Sequence, residues 1–386
     1  MSILDKAIHD CLAHELAFVK FISANDSGKT GSHQAGFYIP QNSWRILFDS
    51  PGIKGENKDR IVKIRWQDDF ETESRFIYYG RETRNEYRIT RFGRGFPYLR
   101  PECMGDLFVL IKVDADYYHA YVIQGDEDIE LFFSLLGIGP DQTNCLVEPA
   151  RIPDNAMDIL FRDFIAGLEV DFPESNVISA KAREFFNTLN RGRQFDSDSL
   201  LLGWLETEYS LFKAIESDRY KGILSTPFSS VDELVEIANT VLNRRKSRAG
   251  KSLENHLAEI FRSNNLPFET QVQTEENNKP DFIFPGGREY HDHGYPDNRL
   301  VFLGAKTTCK DRWRQILNEA DRIEEKHLFT LQQGISENQL AQMYHHKVTL
   351  VVPRPHLASF PTGFRDRILT LEKFISFTRM VLTVGR

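Results

Sequence analysis

LGAKTTCKDRWRQILNEAD, residues 303–321, ends an apolar run on Lys306 and places Glu319 thirteen residues later, with Lys310, Asp311 and Arg312 between them. Upstream, Pro280 and Asp281 open the short apolar run PDFIF. A carboxylate at the start of one strand, a lysine at the end of the next and an acid beyond it are the parts of a metal-dependent phosphodiesterase. Hydrolysing a phosphodiester needs a positioned water, neutralisation of charge on phosphorus and help for the departing oxygen, all of which Mg²⁺ supplies. That ion keeps several of its waters, so two or three carboxylates suffice to hold it. Asp281 is the best first ligand, and Lys306 is expected beside the attacking water and the scissile phosphate.

Nucleases of this design carry an acid two positions before the lysine, and here that position is Gly304. The missing carboxylate must come from elsewhere. The pattern from Asp311 predicts a helix with Trp313, Ile316, Leu317, Ala320 and Ile323 as its buried stripe. Glu319, seven residues after Arg312, then lies on nearly the same face two turns later. Such a helix points Glu319 at the metal while its first turn, Lys310 to Arg312, reaches toward DNA. Glu254, one turn into an amphipathic helix from Ser252, is a further acid candidate. Each has a plainer alternative: Asp281 ends a turn, Glu254 faces solvent, and the spacing from Lys306 to Glu319 is coincidental.

Working outward, PDFIF, RLVFLGA, HLFTL and VTLVVP alternate with helical patterns, including one from about Glu337 and a last one rich in Leu and Phe. That alternation predicts an α/β/α sandwich around a mixed sheet, with catalytic residues at strand ends. Helical stretches from Ser199 to Ile215 and from Val231 to Leu242 precede it. The first part differs. RFIYYG, YRITRF, DLFVLIKV and YYHAYVI are short aromatic and β-branched runs between turn residues, which predicts a β-rich barrel or sandwich. Ile129, Phe132, Phe133 and Leu136 mark a helix there. The expected organisation is a β-rich domain over 1–165, a linker over 166–182 and an α/β domain over 183–386.

Composition bounds the function. The chain has 386 residues, 41% of them hydrophobic, and no apolar run of about eighteen residues that would span a membrane. Asp5, Lys6, His9 and Asp10 interrupt the stretch a signal peptide would need, so a cytoplasmic location is expected. Cys11, Cys103, Cys145 and Cys309 are widely spaced, which predicts reduced thiols and neither a zinc site nor a disulfide framework. The net charge of −8 is unusual for a ligand of polyanions. Basic residues are nevertheless grouped: Arg81, Arg84, Arg88, Arg91 and Arg94; Arg244, Arg245, Lys246, Arg248 and Lys251; and Lys306, Lys310, Arg312 and Arg314.

KTTCKDRWRQILNEAD, together with NRRKSRAGKSLENHL and KPDFIFP, resembles the EcoRII-type restriction endonucleases, a branch of the PD-(D/E)XK nucleases with glutamate thirteen residues after the lysine. SANDSGKTGSHQAGFYIP and TRNEYRITRFGRG resemble that family's N-terminal effector domain, so the likeness covers most of the chain. It implies a restriction-endonuclease-like catalytic domain and a pseudobarrel of the B-three type that binds a further copy of the target. By the same likeness Asp281, Lys306 and Glu319 match the catalytic residues, Glu254 matches an additional acid, and Asp281 and Glu319 are the metal ligands. Lys310, Asp311 and Arg312 match the segment that reads outer C·G pairs, where Arg and Lys suit guanine and Asp suits cytosine N4. His33, Tyr38, Arg84, Glu86 and Arg88 fall on the effector DNA-contacting motifs. The family prototype has lysines where this chain has Glu82 and Tyr87, so weaker effector phosphate contacts are expected.

The resemblance further implies Mg²⁺, a CCWGG-like site, 5′-phosphate ends, a homodimer through the catalytic domain, a cognate methyltransferase and an N-terminal domain that covers the cleft until effector DNA binds. Two other functions compete. A catalytically silent DNA-binding regulator has no use for Asp281, Lys306 and Glu319 together. A repair or mobile-element nuclease has no use for a base-reading Lys310 to Arg312.

Overall fold

The computed structural model describes residues 2–27, 36–139, 142–147 and 156–383. Helix α1 (Ile3–Ala13) opens with a reciprocal cap, the Asp5 amide donating to Ser2 Oγ and the Ser2 amide to Asp5. There follow β1 (Ala17–Phe21), β2 (Phe37–Ile39), β3 (Lys58–Trp66), β4 (Glu71–Tyr79), β5 (Glu86–Thr90), β6 (Leu107–Lys112), β7 (Tyr117–Ile123), α2 (Asp126–Leu136) and β8 (Cys145–Val147). They make one sheet in the order β2-β5-β4-β3-β7-β6-β1-β8, with β3 parallel to β7 and every other pair antiparallel. The sheet curls around aromatic residues: Phe37 stacks on Phe108 at 4.0 Å, and Trp66, Phe76 and Tyr118 are buried beside them. Its other face is covered by α1 and α2 through Leu4, Ala7, Ile129 and Phe132. This is the expected β-rich pseudobarrel.

Helices α3 (Ala156–Ala166), α4 (Ser175–Leu189) and α5 (Ser197–Leu224) pack together through Phe161, Ile178, Ala182, Phe185 and Phe212. The segment 166–182 thus holds the end of α3 and the first half of α4. Helix α6 (Val231–Ser263) runs 33 residues from its Ser230 cap, whose Oγ accepts from the Glu233 amide. The amphipathic stretch expected from Ser252 is its last part.

The second sheet comprises β9 (Phe282–Phe284), β10 (Val301–Lys306), β11 (Lys326–Thr330), β12 (Val348–Val352) and β13 (Leu369–Thr370), with α7 (Gly287–His291) between β9 and β10, α8 (Glu337–His345) before β12 and α9 (Leu371–Thr383) last. Its order is β13-β12-β11-β10-β9, with β9 antiparallel and the rest parallel. Strands β9, β10 and β11 are buried almost throughout, β11 with Lys326 and His327 among its buried residues. One face meets α5, α6 and α9 through Trp204, Leu257, Phe261 and Phe374. The other meets α8 and the segment 313–323 through Leu340, Met343, Trp313 and Ile316. Among the described residues no helix is long and apolar enough to cross a membrane.

Candidate active site

Strand register builds the centre. Leu303 lies opposite Phe282, so Asp281 falls beside Gly304 and Ala305 at the edge of the antiparallel pair. Its carboxylate accepts from the Ala305 amide at 2.8 Å and lies 3.3 Å from Lys306 Nζ. Glu254 arrives from α6, and Glu319 from the segment after β10. Burial holds the Glu254 carboxyl above the ordinary range; Asp281 adds to the rise and Lys306 opposes it. Burial likewise raises Glu319, with Lys306 opposing and Asp281 adding. Asp281 and Lys306 thus form an ion pair whose charges act on both glutamates.

The helix expected from Asp311 is absent. Residues Trp313–Asn318 form a short 3-10 turn, Glu319 is extended at φ −94° and ψ 136°, and Ala320 reverses the chain at φ 53°. The apolar spacing is obeyed: Trp313, Ile316, Ala320 and Ile323 are buried and Leu317 partly so. Tertiary partners take backbone groups that a helix would pair internally. Lys326 donates to the carbonyls of Glu319 and Ala320, and Asn278 Nδ2 to that of Asn318 at 2.9 Å. The turn also explains Gly304. A Cβ there would lie 3.0 Å from Ile316 Cγ2, so the turn leaves little room for a side chain at 304, and Glu319 follows at its end.

Lys310, Asp311 and Arg312 are held by the first half of the chain. Lys310 Nζ pairs with Asp106, whose carboxyl burial pushes up to about 6 against the pull of that lysine. The Asp311 and Arg312 amides donate to Asp126 Oδ2 at 2.7 and 3.2 Å. Arg312 Nη1 donates to Glu130 Oε1 at 2.7 Å, and the Thr307 and Thr308 hydroxyls reach the same oxygen at 3.1 Å. Gln332 Oε1 accepts from the Cys309 and Lys310 amides at 2.7 and 2.9 Å, while its Nε2 donates to the Gly105 carbonyl at 3.0 Å. Helix α2 thus roofs a cavity of about 210 Å³ that Glu254 and Lys306 line from below.

The other basic groups are used differently from expectation. Arg245 binds Glu216 and caps α2 through the Ser134 and Leu135 carbonyls, at 2.7 and 3.1 Å. Arg248 is buried, 3.5 Å from Glu208 and over the rings of Tyr209 and Phe212. Both are internal structural cations rather than parts of a solvated basic face. On the first sheet Tyr38 pairs with Arg88 across β2 and β5, and Arg88 Nε lies 3.4 Å from Glu86. Burial, then Glu86, raises the Tyr38 hydroxyl. Arg84 is exposed and sits over the Tyr79 ring at 5.1 Å, while His33 lies outside the described residues. Tyr87 is buried, accepts from the Gly52 amide at 2.6 Å and packs on Tyr78, so only Glu82 alters exposed charge. Of the thiols, Cys103 and Cys309 are buried.

Asp106, Asp126, Glu130 and Gln332 escaped sequence reasoning. The run DEDIE carried a signal for a helix start only, since acids there suit the helix dipole.

The EcoRII C-terminal family matches residues 212–375, and the restriction endonuclease EcoRII N-terminal family matches residues 12–145. The Type II restriction enzyme EcoRII of Escherichia coli is 37% identical over 383 residues, covering 93% of each chain. The chain belongs to the EcoRII family of Type II restriction enzymes. The Type II restriction enzyme SsoII of Shigella sonnei is 26% identical over 152 residues, 37% of this chain and 48% of that one. Solved structures similar to this chain include metal-depleted Ecl18kI in complex with uncleaved, modified DNA, at 19% identity and TM-score 0.44, covering 58% of this chain and 83% of that one. A PspGI restriction endonuclease–substrate DNA complex shows 17% identity and TM-score 0.44, covering 55% and 93%. Within the family frame, Asp281 and Lys306 stand in contact, and the segment after them is held by α2.

Proposed function

We propose that this chain is a site-specific deoxyribonuclease that hydrolyses double-stranded DNA at a CCWGG-like site, leaving 5′-phosphate ends. The observation that carries it is the Asp281–Lys306 contact with Glu254 and Glu319 beside it, in a chain of the EcoRII family. Residues 1–165 form the effector domain, 166–182 the linker and 183–386 the catalytic domain, which dimerises so that each subunit cuts one strand. A methyltransferase of the same specificity protects the host, and the enzyme works in the cytoplasm.

The donor set suits Mg²⁺. Among the described residues no three His, Cys, Asp or Glu side chains stand close enough to hold a metal ion together, but this ion needs only two carboxylates and its own waters. Glu254 and Glu319 are raised by burial and by Asp281, so a nearby cation relieves their repulsion. Asp281 and Glu319 would hold it, and bound Mg²⁺ supplies Lewis-acid stabilisation and an activated water. Lys306 places its ammonium at the scissile phosphate and orients the attacking water. Glu254 holds water on the α6 side. Lys310, Asp311 and Arg312 read the outer C·G pairs in the major groove.

Tyr38, Arg84, Glu86 and Arg88, with His33, bind the effector copy of the site. Asp106, Asp126 and Glu130 occupy the donors of the recognition segment as phosphate or base acceptors would, which supports an enzyme held closed until effector DNA draws the first domain away. The chemistry is tested by Lys306→Ala and Asp281→Ala. Each is expected to lower cleavage at least a thousandfold, on the order of losing several kcal/mol of transition-state stabilisation, while specific binding to a cognate duplex stays measurable. Persistent cutting by either variant contradicts the assignment.

A further inference from the structure

The backbone around Glu319 is fastened from outside. Lys326 heads β11 and is 4% exposed; its Nζ donates to the Glu319 carbonyl and, at 2.6 Å, to that of Ala320. The same nitrogen lies 5.3 Å from the Phe302 ring, which fixes where the ammonium sits. Asn278 donates to the Asn318 carbonyl at 2.9 Å. Glu275 accepts from the Asp321 amide at 3.1 Å and from the Tyr290 hydroxyl at 2.6 Å. Four consecutive residues, 318 to 321, thus have a backbone group tied to a side chain of another element.

Glu319 needs such ties because it belongs to no regular element. A carboxylate on a strand is aimed by the ladder, whereas Glu319 follows a 3-10 turn and precedes a left-handed Ala320. Two buried carbonyls converge on one point, and an ammonium with three donors is the side-chain group that satisfies both from a compact head. We infer that Lys326 is a positioning residue for Glu319, holding that carboxylate toward Asp281 and Lys306 through the backbone, with Asn278 as a lesser support. The inference rests on Glu319 holding Mg²⁺ as proposed above.

The test compares Lys326→Met, Lys326→Arg and Asn278→Ala in the full chain. Removing a group that orients a metal ligand costs about ten- to a hundredfold in metal affinity or activity. Lys326→Met is therefore expected to raise the Mg²⁺ concentration for half-maximal cleavage and to lower kcat at saturating DNA by that range. Its Kd for a cognate duplex, measured with Ca²⁺ in place of Mg²⁺, stays near wild type, and amide hydrogen exchange quickens over 318–321. Lys326→Arg recovers most of the loss, and Asn278→Ala shifts the same quantities less. Wild-type Mg²⁺ dependence in Lys326→Met overturns the inference, as does a loss confined to DNA affinity. If Lys326→Met does not fold, Lys326→Gln takes its place, and wild-type Mg²⁺ dependence and exchange in that variant overturn the inference equally. Full cleavage by Glu319→Gln would instead sink the metal-ligand reading, leaving the exchange result to report on Lys326 alone.

Discussion

One carboxylate oxygen, Oε1 of Glu130, receives the guanidinium of Arg312 and the hydroxyls of Thr307 and Thr308. Through it α2 holds Arg312 and the start of the segment that, on the proposed function, reads DNA. The pair is partly exposed, so its worth is about 1 kcal/mol after solvent screening. Glu130→Ala is expected to raise cleavage of a plasmid with a single target site by roughly fivefold, the same energy expressed as a population shift. An unchanged single-site rate, with unfolding like wild type, would remove Glu130 from the closing contact. Nothing in the sequence marks this acid, because its partners lie about 180 residues away. Asp281 and Lys306, by contrast, were legible, since strand ends and a two-strand register place them together.

The element that sets this site apart is the 3-10 turn over Gly304. Ile316 on that turn is fully buried and stands 3.0 Å from where a Cβ at 304 would be, with Leu328 Cδ1 at 3.6 Å. Gly304→Asp is expected to destabilise the chain by about 1–3 kcal/mol, through overpacking and a carboxylate in an apolar layer. A lowered urea midpoint would show it. In a Glu319→Ala background the same change should not restore cleavage, and restoration would mean the turn yields easily. Apolar spacing predicted the buried stripe on this segment but not its conformation. The same spacing suits a helix and a compressed turn, and Lys326 and Asn278 arrive from later and earlier elements to decide between them.

At the scale of the molecule, polar contacts join the two halves of the chain. His356 is buried within 3.5 Å of Gln333, which donates to Thr143 of the first half at 2.6 Å. Burial pushes both His356 and His327 down to about 4. Because these folded values lie below the ordinary 6.5, the unfolded chain binds protons first as pH falls. Their contribution to stability is complete above pH 6.5 and is lost toward pH 4, at about 2 kcal/mol per histidine between pH 7 and 5. Urea denaturation at the two pH values checks this, and a midpoint unmoved by acid would contradict it. The sequence by itself determined the two sheets and the placing of Asp281 beside Lys306, because alternation along the strands is local. Only tertiary structure decided that Glu319 rides on a turn and that Asp106, Asp126 and Glu130 cover Lys310 to Arg312. Both outcomes depend on long-range hydrogen bonds to backbone groups and paired charges, which leave no periodic trace in the chain.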